Sequence, residues 1–588
     1  MKKLKIIFII LSLIQSHIIY TANNACSPCN FEDNFSDCAG CFGASSFSGC
    51  TIPCGPKTYF QPRSQGSNTA REMVGWQDKI NLYNVCSNYL STAFVFEFQK
   101  SFKDFRLSRE YFGDEVLSFV GSQVPDRVIN LDAPFCNFLA DNFGLSPIFN
   151  GTIKLCPEIE NIILDFEFFW GLDKWIEGLY LRFHAPLTST RWKLSSCEDL
   201  CLTFSPQLPA CYFSDSVVQP FTSIAQSLKG SGFGDVPARQ FGKFPFGTHS
   251  KFGFADIDLI LGYNICNSEF SHIGIYAQAV VPTGNKPNPK FIFSPVLGNG
   301  KHWELGIGFS AAMRLWESGA EQNLGIYAEG NITHLFENTQ LRSFDLTARG
   351  PFSRYLILKE FEDDGVTYKG LVNAIDVTTM PARVKIALKA DISAELLYHY
   401  NNLGLEFGLN IYGNTRESIC LSKKDSILNK RKFGIKGTQG ICCQEFNTNA
   451  GIIGAATGTH NSLNSTENNS TICNPGQIDN PSSVTSTPGT ICVAWDNAAT
   501  TGDLVSSAII AQDSNPPLLL SFCDINPCSG ASCQNLTYKI FGNISYTWFE
   551  SDYLPHIGIG AEIEIDGRAS NNKGSDFWGI WIKGGVTF

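Results

Sequence analysis

The stretch that decides the fold is Ser575-Asp-Phe-Trp-Gly-Ile-Trp-Ile-Lys-Gly-Gly-Val-Thr-Phe588. Successive side chains of an extended strand point to opposite faces. Trp578, Ile580, Ile582, Gly584, Val586 and Phe588 therefore share one face, and Gly579, Trp581, Lys583, Gly585 and Thr587 share the other. The first face is apolar without interruption, the second carries small or charged residues beside Trp581, and the sequence stops on an aromatic residue.

The same period of two recurs upstream over 90–98, 162–170, 179–185, 255–263, 273–281, 303–313, 324–332, 386–396, 403–411, 536–548 and 557–565, which with the last strand makes twelve. Short connections (Gly171–Asp173, Cys266–Phe270, Glu317–Glu321, His399–Asn402, Glu550–Leu554) alternate with longer ones (Ser101–Glu160, Thr188–Lys251, Gly284–Lys301, Glu337–Ala382, Thr415–Asn535, Gly567–Gly574). A soluble sandwich has no reason to alternate in this way. A membrane barrel does, with short turns on one side and long loops on the other. The expected fold is all-β: a transmembrane antiparallel up-and-down β-barrel of about 12 strands (12–14), with long extracellular loops and short periplasmic turns. Aromatic residues at both strand ends, Trp170, Trp175, Trp316, Tyr398, Tyr400 and Trp548 against Phe98, Trp303, Phe336 and Trp578, fit two interfacial girdles. Glu177 and His334 fall out of pattern on the lipid-facing register, each near a strand end.

At the other end of the chain, Lys2, Lys3 and Lys5 precede the apolar run Ile6–Ile14. That is the layout of a secretory signal peptide, and the run is too short to span a bilayer as a helix. We assign 1–22 to it, with cleavage between Tyr20 and Cys26. Asn23 stands where a lipoprotein signal needs an aliphatic residue, so lipidation is not expected. No later run is long and apolar enough for a spanning helix. Removing three lysines takes the net charge from −11 to −14, which argues against nucleic acid as a partner.

The chain has 21 cysteines, and export places them where disulfides persist. Cys26, Cys29, Cys38, Cys41, Cys50 and Cys54 lie in a segment, 23–81, too poor in aliphatic residues to hold a core of its own. Their spacing also suits zinc, but after a signal peptide disulfides are the better reading, and neither metal nor cofactor is assigned. The barrel occupies 82–588. Within its loop 415–535, Cys420, Cys442, Cys443, Cys473, Cys492, Cys523, Cys528 and Cys533 are further disulfide candidates. Only Cys86 and Cys266 lie in or beside a clear strand. Asp132–Gly144 carries a helical spacing of Phe135, Phe138, Leu139 and Phe143 and reads as a short helix near the barrel mouth.

No catalytic constellation emerges, and the chain is read as a non-enzyme. His460-Asn461-Ser462 lies in a low-complexity loop, and the nine histidines are scattered with none beside an acidic pair. Gly298-Asn299-Gly300 is a turn rather than a phosphate loop. The lumen is what remains. Glu97, Asp165, Glu167, Asp256, Asp258, Glu304, Glu329, Asp391, Glu395, Glu406, Glu562, Glu564 and Asp566 point inward, against Arg182, Arg314, Lys385, Lys389, Lys539 and Lys583. Excess acid favours cations and small neutral solutes over anions. The other reading is that opposite charges pair across a narrow, occluded interior.

The terminal strand resembles the closing strand of bacterial outer-membrane β-barrels, whose last aromatic residue is part of the signal read by the assembly machinery. Leu139-Ala-Asp-Asn-Phe-Gly-Leu145, Pro282-Thr-Gly-Asn-Lys286, Gly298-Asn-Gly-Lys-His-Trp-Glu-Leu-Gly306 and the final two strands are similar to uncharacterised outer-membrane proteins of intracellular bacteria. The resemblance implies residence in the cell outer membrane, with lipid and, through the Phe588 strand, the barrel-assembly machinery as partners. It carries no activity and no site. The function expected is a porin-like channel for small solutes, mildly cation-preferring. The alternative is a non-conducting, adhesin-like envelope protein held by disulfides.

Overall fold

A computed structural model of the chain describes residues 59, 62–83, 88–102, 104–122, 124, 137–203, 220–319, 321–365, 368–436, 441–447, 451–452, 466, 471–472, 490–494, 517–551, 553–568 and 576–588. The signal peptide and Cys26, Cys29, Cys38, Cys41, Cys50, Cys54, Cys86 and Cys473 lie outside the described residues. So does most of the low-complexity part of the loop 415–535.

Twelve antiparallel strands close into one cylinder: β1 Tyr89–Ser101, β2 Asn150–Gly171, β3 Leu179–Thr203, β4 Ile257–Ser268, β5 Ser271–Val281, β6 Glu304–Ser318, β7 Gln322–Arg342, β8 Met380–Tyr400, β9 Leu403–Asn414, β10 Asn535–Thr547, β11 His556–Asp566 and β12 Phe577–Thr587. Neighbours in sequence pair, and β12 returns to β1 from Ser91 opposite Thr587 to Ser101 opposite Phe577. Closure leaves no edge whose unpaired backbone groups would sit in lipid.

The outward face is the one the period-two pattern named. Phe96, Leu261, Ile275, Ile307, Phe407, Ile544, Ile559 and Ile582 are each about half exposed or more. A continuous apolar belt of that kind is incompatible with water and fits a bilayer. The fold is thus a barrel of the outer-membrane type. Glu177 sits in the turn between β2 and β3 rather than on a strand. His334 stays on β7 at a register shift, its Nδ1 2.9 Å from the Ala387 carbonyl.

Four strands run well past the segments legible from periodicity. β2, β3, β7 and β8 span 22, 25, 21 and 21 residues, so parts of the connections Ser101–Glu160, Thr188–Lys251 and Glu337–Ala382 are sheet. Above the barrel they lose the one-greasy, one-wet environment that produces alternation, as residues 195–203, exposed on both faces, illustrate. β3 pairs with β4 only over Leu179–His184, then with a separate strand, Gly247–Phe254. The break between the two falls at Ala255 and Asp256, the latter at φ 68°.

The connections on the tall side pack into an apolar cap, one cluster of which includes Phe112, Phe119, Phe143, Trp192, Phe293 and Tyr355. Of the helix expected over Asp132–Gly144, residues 132–136 lie outside the described residues. The remainder is a strand, Phe138–Leu139, and one 3-10 turn, Ala140–Phe143, stopped by Gly144 at φ 74°. The strand forms because Phe138 and Leu139 pair in parallel with Phe119 and Val120, and Leu139 N donates to the Ile472 carbonyl. Tertiary pairing outweighs the local helical spacing.

Cysteine placement departs from expectation. Cys156 and Cys197, not among the candidates, form a disulfide between β2 and β3 where both rise above the barrel. Among the candidates, Cys523, Cys528 and Cys533 are disulfide-bonded. Cys420 lies on a strand, Glu417–Leu421, paired to β8, while Cys443 stands opposite Cys492 in a small separate sheet beside Cys442.

Candidate functional site

The lumen is filled by the protein itself. Residues 62–83, which the sequence groups largely with the cysteine-rich segment, enter the barrel as a polar coil, a single helical turn Thr69–Met73 (α1) and a 3-10 turn Gln77–Lys79. α1 starts where the Asn68 side chain accepts from the Arg71 N–H, an ordinary N-cap.

Two arginines anchor this plug. Arg63 lies 2.8 Å from Asp391 on β8 and 3.2 Å from Glu564 on β11, and its guanidinium covers the Tyr412 ring at 4.5 Å. Arg71, 1% exposed, lies 2.9 Å from Glu97 on β1 and 2.8 Å from Asp165 on β2. Neither charge is tolerable in such a place without its partners. Lower down, Glu72 receives Arg182 of β3 at 2.8 Å, the Gly75 N–H donates to Glu406 at 2.7 Å, and Gln77 donates to Glu329 at 2.7 Å. Lys583 of β12 donates to the carbonyls of Arg71 and Glu72 and pairs with Glu167 at 2.7 Å. Asp78 lies 3.2 Å from His399.

Apolar contact supports the polar grip. Trp76 is fully buried among Tyr89, Phe169, Tyr180, Ile260 and Tyr276, and its indole N–H reaches Ser91 Oγ at 2.7 Å. Ala70 and Val74 pack on Val95, Phe541 and Trp581. Beside Arg63, Ser67, Asn68, Gln99 and Asn161 a cavity of about 20 Å³ persists, room for roughly one water.

The inward charges fall as follows. Glu97, Asp165, Glu167, Arg182, Asp256, Asp258, Glu304, Glu329, Lys389, Asp391, Glu395, Glu406, Lys539, Glu562, Glu564, Asp566 and Lys583 are all buried. Several pair within the wall: Lys389 with Glu304 and Lys539 with Glu562 at 2.7 Å. Arg314 instead lies at the turn end of β6, 3.0 Å from Glu317 and over the Phe270 ring. Lys385 is half-buried on the part of β8 opposite Ser418, beyond the span shared with β9. Four of the buried carboxylates, Glu97, Asp165, Asp391 and Glu564, are therefore counter-charge to the plug's arginines.

Sequence reasoning missed the plug side of this site, Arg63, Gln65 and Arg71, because twenty residues without a period announce neither strand nor long helix. Arg63, Arg71 and Lys79, the cations of a stretch otherwise poor in them, were the available signal. It also underrated the Gly298-Asn299-Gly300 turn. There the Gly298 N–H donates to Gln65 Oε1 at 3.0 Å, and the Asn299 N–H to Asp256 at 2.7 Å, while Ser64 Oγ holds the same carboxylate at 3.0 Å. Gly298 has φ 74°, and a Cβ there would stand 2.5 Å from Asp256 Oδ1. Only glycine suits that position.

One expectation about histidines is corrected. His184 on β3 does lie beside an acidic pair: its Nε2 is 2.6 Å from Asp165, and its Nδ1 3.7 Å from Asp258. These residues are far apart in sequence and meet because β2, β3 and β4 are successive staves of the wall.

No family model and no curated protein matches the chain. Among solved structures, an outer-membrane channel from Pseudomonas putida F1 is similar at 11% identity and a TM-score of 0.31, over 85% of this chain and 95% of its own. A Pseudomonas aeruginosa FadL homologue gives 8% and 0.24 over 85% and 89%. The outer membrane protease OmpT from Escherichia coli gives 7% and 0.19 over 85% and 95%. Scores of this size carry no argument about activity, and a protease stands beside the channels.

Proposed function

We propose that the protein is a gated outer-membrane channel for small solutes, closed at rest by its own residues 62–83, with no catalytic role. The observation that supports this is the make-up of the seat. Beside the apolar contacts of Trp76, Ala70 and Val74, the plug is held by ion pairs and hydrogen bonds to β1, β2, β3, β7, β8, β9, β10, β11 and β12, and each neutral contact of that kind nets only about 0.5–1.5 kcal/mol over its exchange for water. Once the plug leaves, Arg63, Arg71 and Lys79 leave with it, as do Glu72 and Asp78, a net loss of one positive charge. The wall keeps thirteen buried carboxylates against Arg182, Lys389, Lys539 and Lys583, an excess that favours cations in the open state. His184 and its acidic neighbours are shut beneath the seated plug. The apolar belt supports residence in the outer membrane. Phe588, half exposed and hydrogen-bonded through its backbone to Leu90, is offered as the handle for the assembly machinery.

The second reading, a non-conducting surface protein, is favoured by the occluded lumen and the cystine-bridged cap. Planar-bilayer recordings of the refolded chain separate the two. The channel reading expects rare openings in the wild type and frequent ones in an Arg63→Ala/Arg71→Ala variant. If the variant folds and stays silent, the second reading stands.

A further inference from the structure

We propose that Glu72, His184 and Asp258 form a site for a divalent transition-metal ion, Zn²⁺ by the chemistry of the donors, that ties the plug to the wall. Glu72 belongs to α1, His184 to β3 and Asp258 to β4, and one potential ligand atom from each lies within 4.8 Å of the other two. Zinc holds nitrogen and carboxylate oxygen at about 2.0–2.2 Å in a tetrahedral arrangement, so two such ligands stand about 3.4 Å apart. Side-chain rotations that draw the ligand atoms together by about an ångström close the site.

The second observation is His184 itself. Its side chain is 1% exposed, and Nδ1 has no hydrogen-bond partner; the 3.7 Å to Asp258 is too long for one. Nε2, 2.6 Å from the Asp165 carboxylate, is placed to donate its proton there, which leaves the Nδ1 lone pair aimed at the cluster. A carboxylate behind a histidine is the usual way a metal-binding imidazole is oriented. Both carboxylates are likewise oriented from outside, Glu72 by Arg182 and Asp258 by Gln278, each at 2.8 Å. The charge also fits. Around His184 the connected carboxylates are Glu72, Glu97, Asp165, Glu167, Asp258 and Glu329, and the cations are Arg71, Arg182 and Lys583. Six negative groups face three positive ones, and a dication reduces the imbalance.

The site rests on this geometry; its role as a latch rests on the plugged-channel reading. The test uses the full chain in detergent, thiols alkylated so that the many cysteines cannot bind metal, and stripped with chelator. Titration with Zn²⁺ and with Co²⁺ is expected to show one equivalent bound, with visible Co²⁺ bands free of thiolate character. Glu72→Gln and His184→Gln are each expected to weaken binding at least tenfold, and Asp165→Asn about 10- to 100-fold. Folding of each variant is checked by heat-modifiable gel mobility. A wild type that binds neither ion, or His184→Gln and Glu72→Gln proteins that bind as tightly as wild type, overturns the site. Zn²⁺ that binds without protecting residues 62–83 from protease overturns the latch, whereas the Arg63→Ala/Arg71→Ala recording, made in chelator, judges the plugged channel separately.

Discussion

Arg71→Met is the most direct probe of the plug. The side chain is almost wholly buried and satisfies two carboxylates at once, Glu97 at 2.9 Å and Asp165 at 2.8 Å. Removing one partner from a buried ion pair costs about 3–5 kcal/mol, because the charge left behind is neither paired nor hydrated. Here that cost falls on the seated state alone, since a vacated lumen fills with water. At roughly 1.4 kcal/mol per tenfold change, the equilibrium moves toward the unseated plug by about 10²- to about 4 × 10³-fold. Open probability in planar bilayers reads the shift directly, and protease cleavage within 62–83 reads it where conductance is small. Adding Glu97→Gln removes one stranded charge and is expected to recover part of the closure. An Arg71→Met protein as firmly closed and as protease-resistant as wild type would refute the reasoning, as would a double variant leakier than the single one.

Three further outcomes are expected. Ile559, 60% exposed and flanked by Ile544 and Ile582, lies in the middle of the apolar belt; Ile559→Arg should cost about 2–4 kcal/mol in refolding titrations in lipid vesicles, and no loss would mean that this face does not meet lipid. Gly298→Val places a branched side chain at φ 74° against Asp256 and should loosen the loop around Gln65 by about 1–3 kcal/mol, seen as faster cleavage of residues 62–83. Reversal potentials of the opened Arg63→Ala/Arg71→Ala channel in a salt gradient should show cation preference, and an anion-preferring pore would remove the electrostatic account of the wall.

The wall was legible because lipid outside and polar groups inside impose opposite demands on alternate residues from Leu403 to Ile411 or from Ile557 to Ile565, and the alternation of short and long connections told a membrane cylinder from a half-buried soluble sheet, which alternates too. What stayed hidden lacked that two-sided environment. The upper reaches of β2 and β3 leave the bilayer and lose their period. Phe138 and Leu139 carry helical spacing yet pair as strand because Phe119 and Val120 are there to receive them. Most telling is the acid of the lumen. Counted along the chain, Glu97, Asp165, Asp391 and Glu564 resemble the lining of a cation path, whereas in space they are the seats of Arg63 and Arg71. One-dimensional counting registers a charge but not its partner when the partner lies on a segment with no periodicity of its own.

The seam between β1 and β12 joins the first wall segment to be made with the last. Residues 62–83 precede both in the chain, and their contacts reach both strands of that seam and others across the lumen. The stopper is therefore also a clasp: Arg71 holds Glu97 of β1 while Lys583 of β12 holds the Arg71 and Glu72 carbonyls, so one segment fastens both sides of the closing seam.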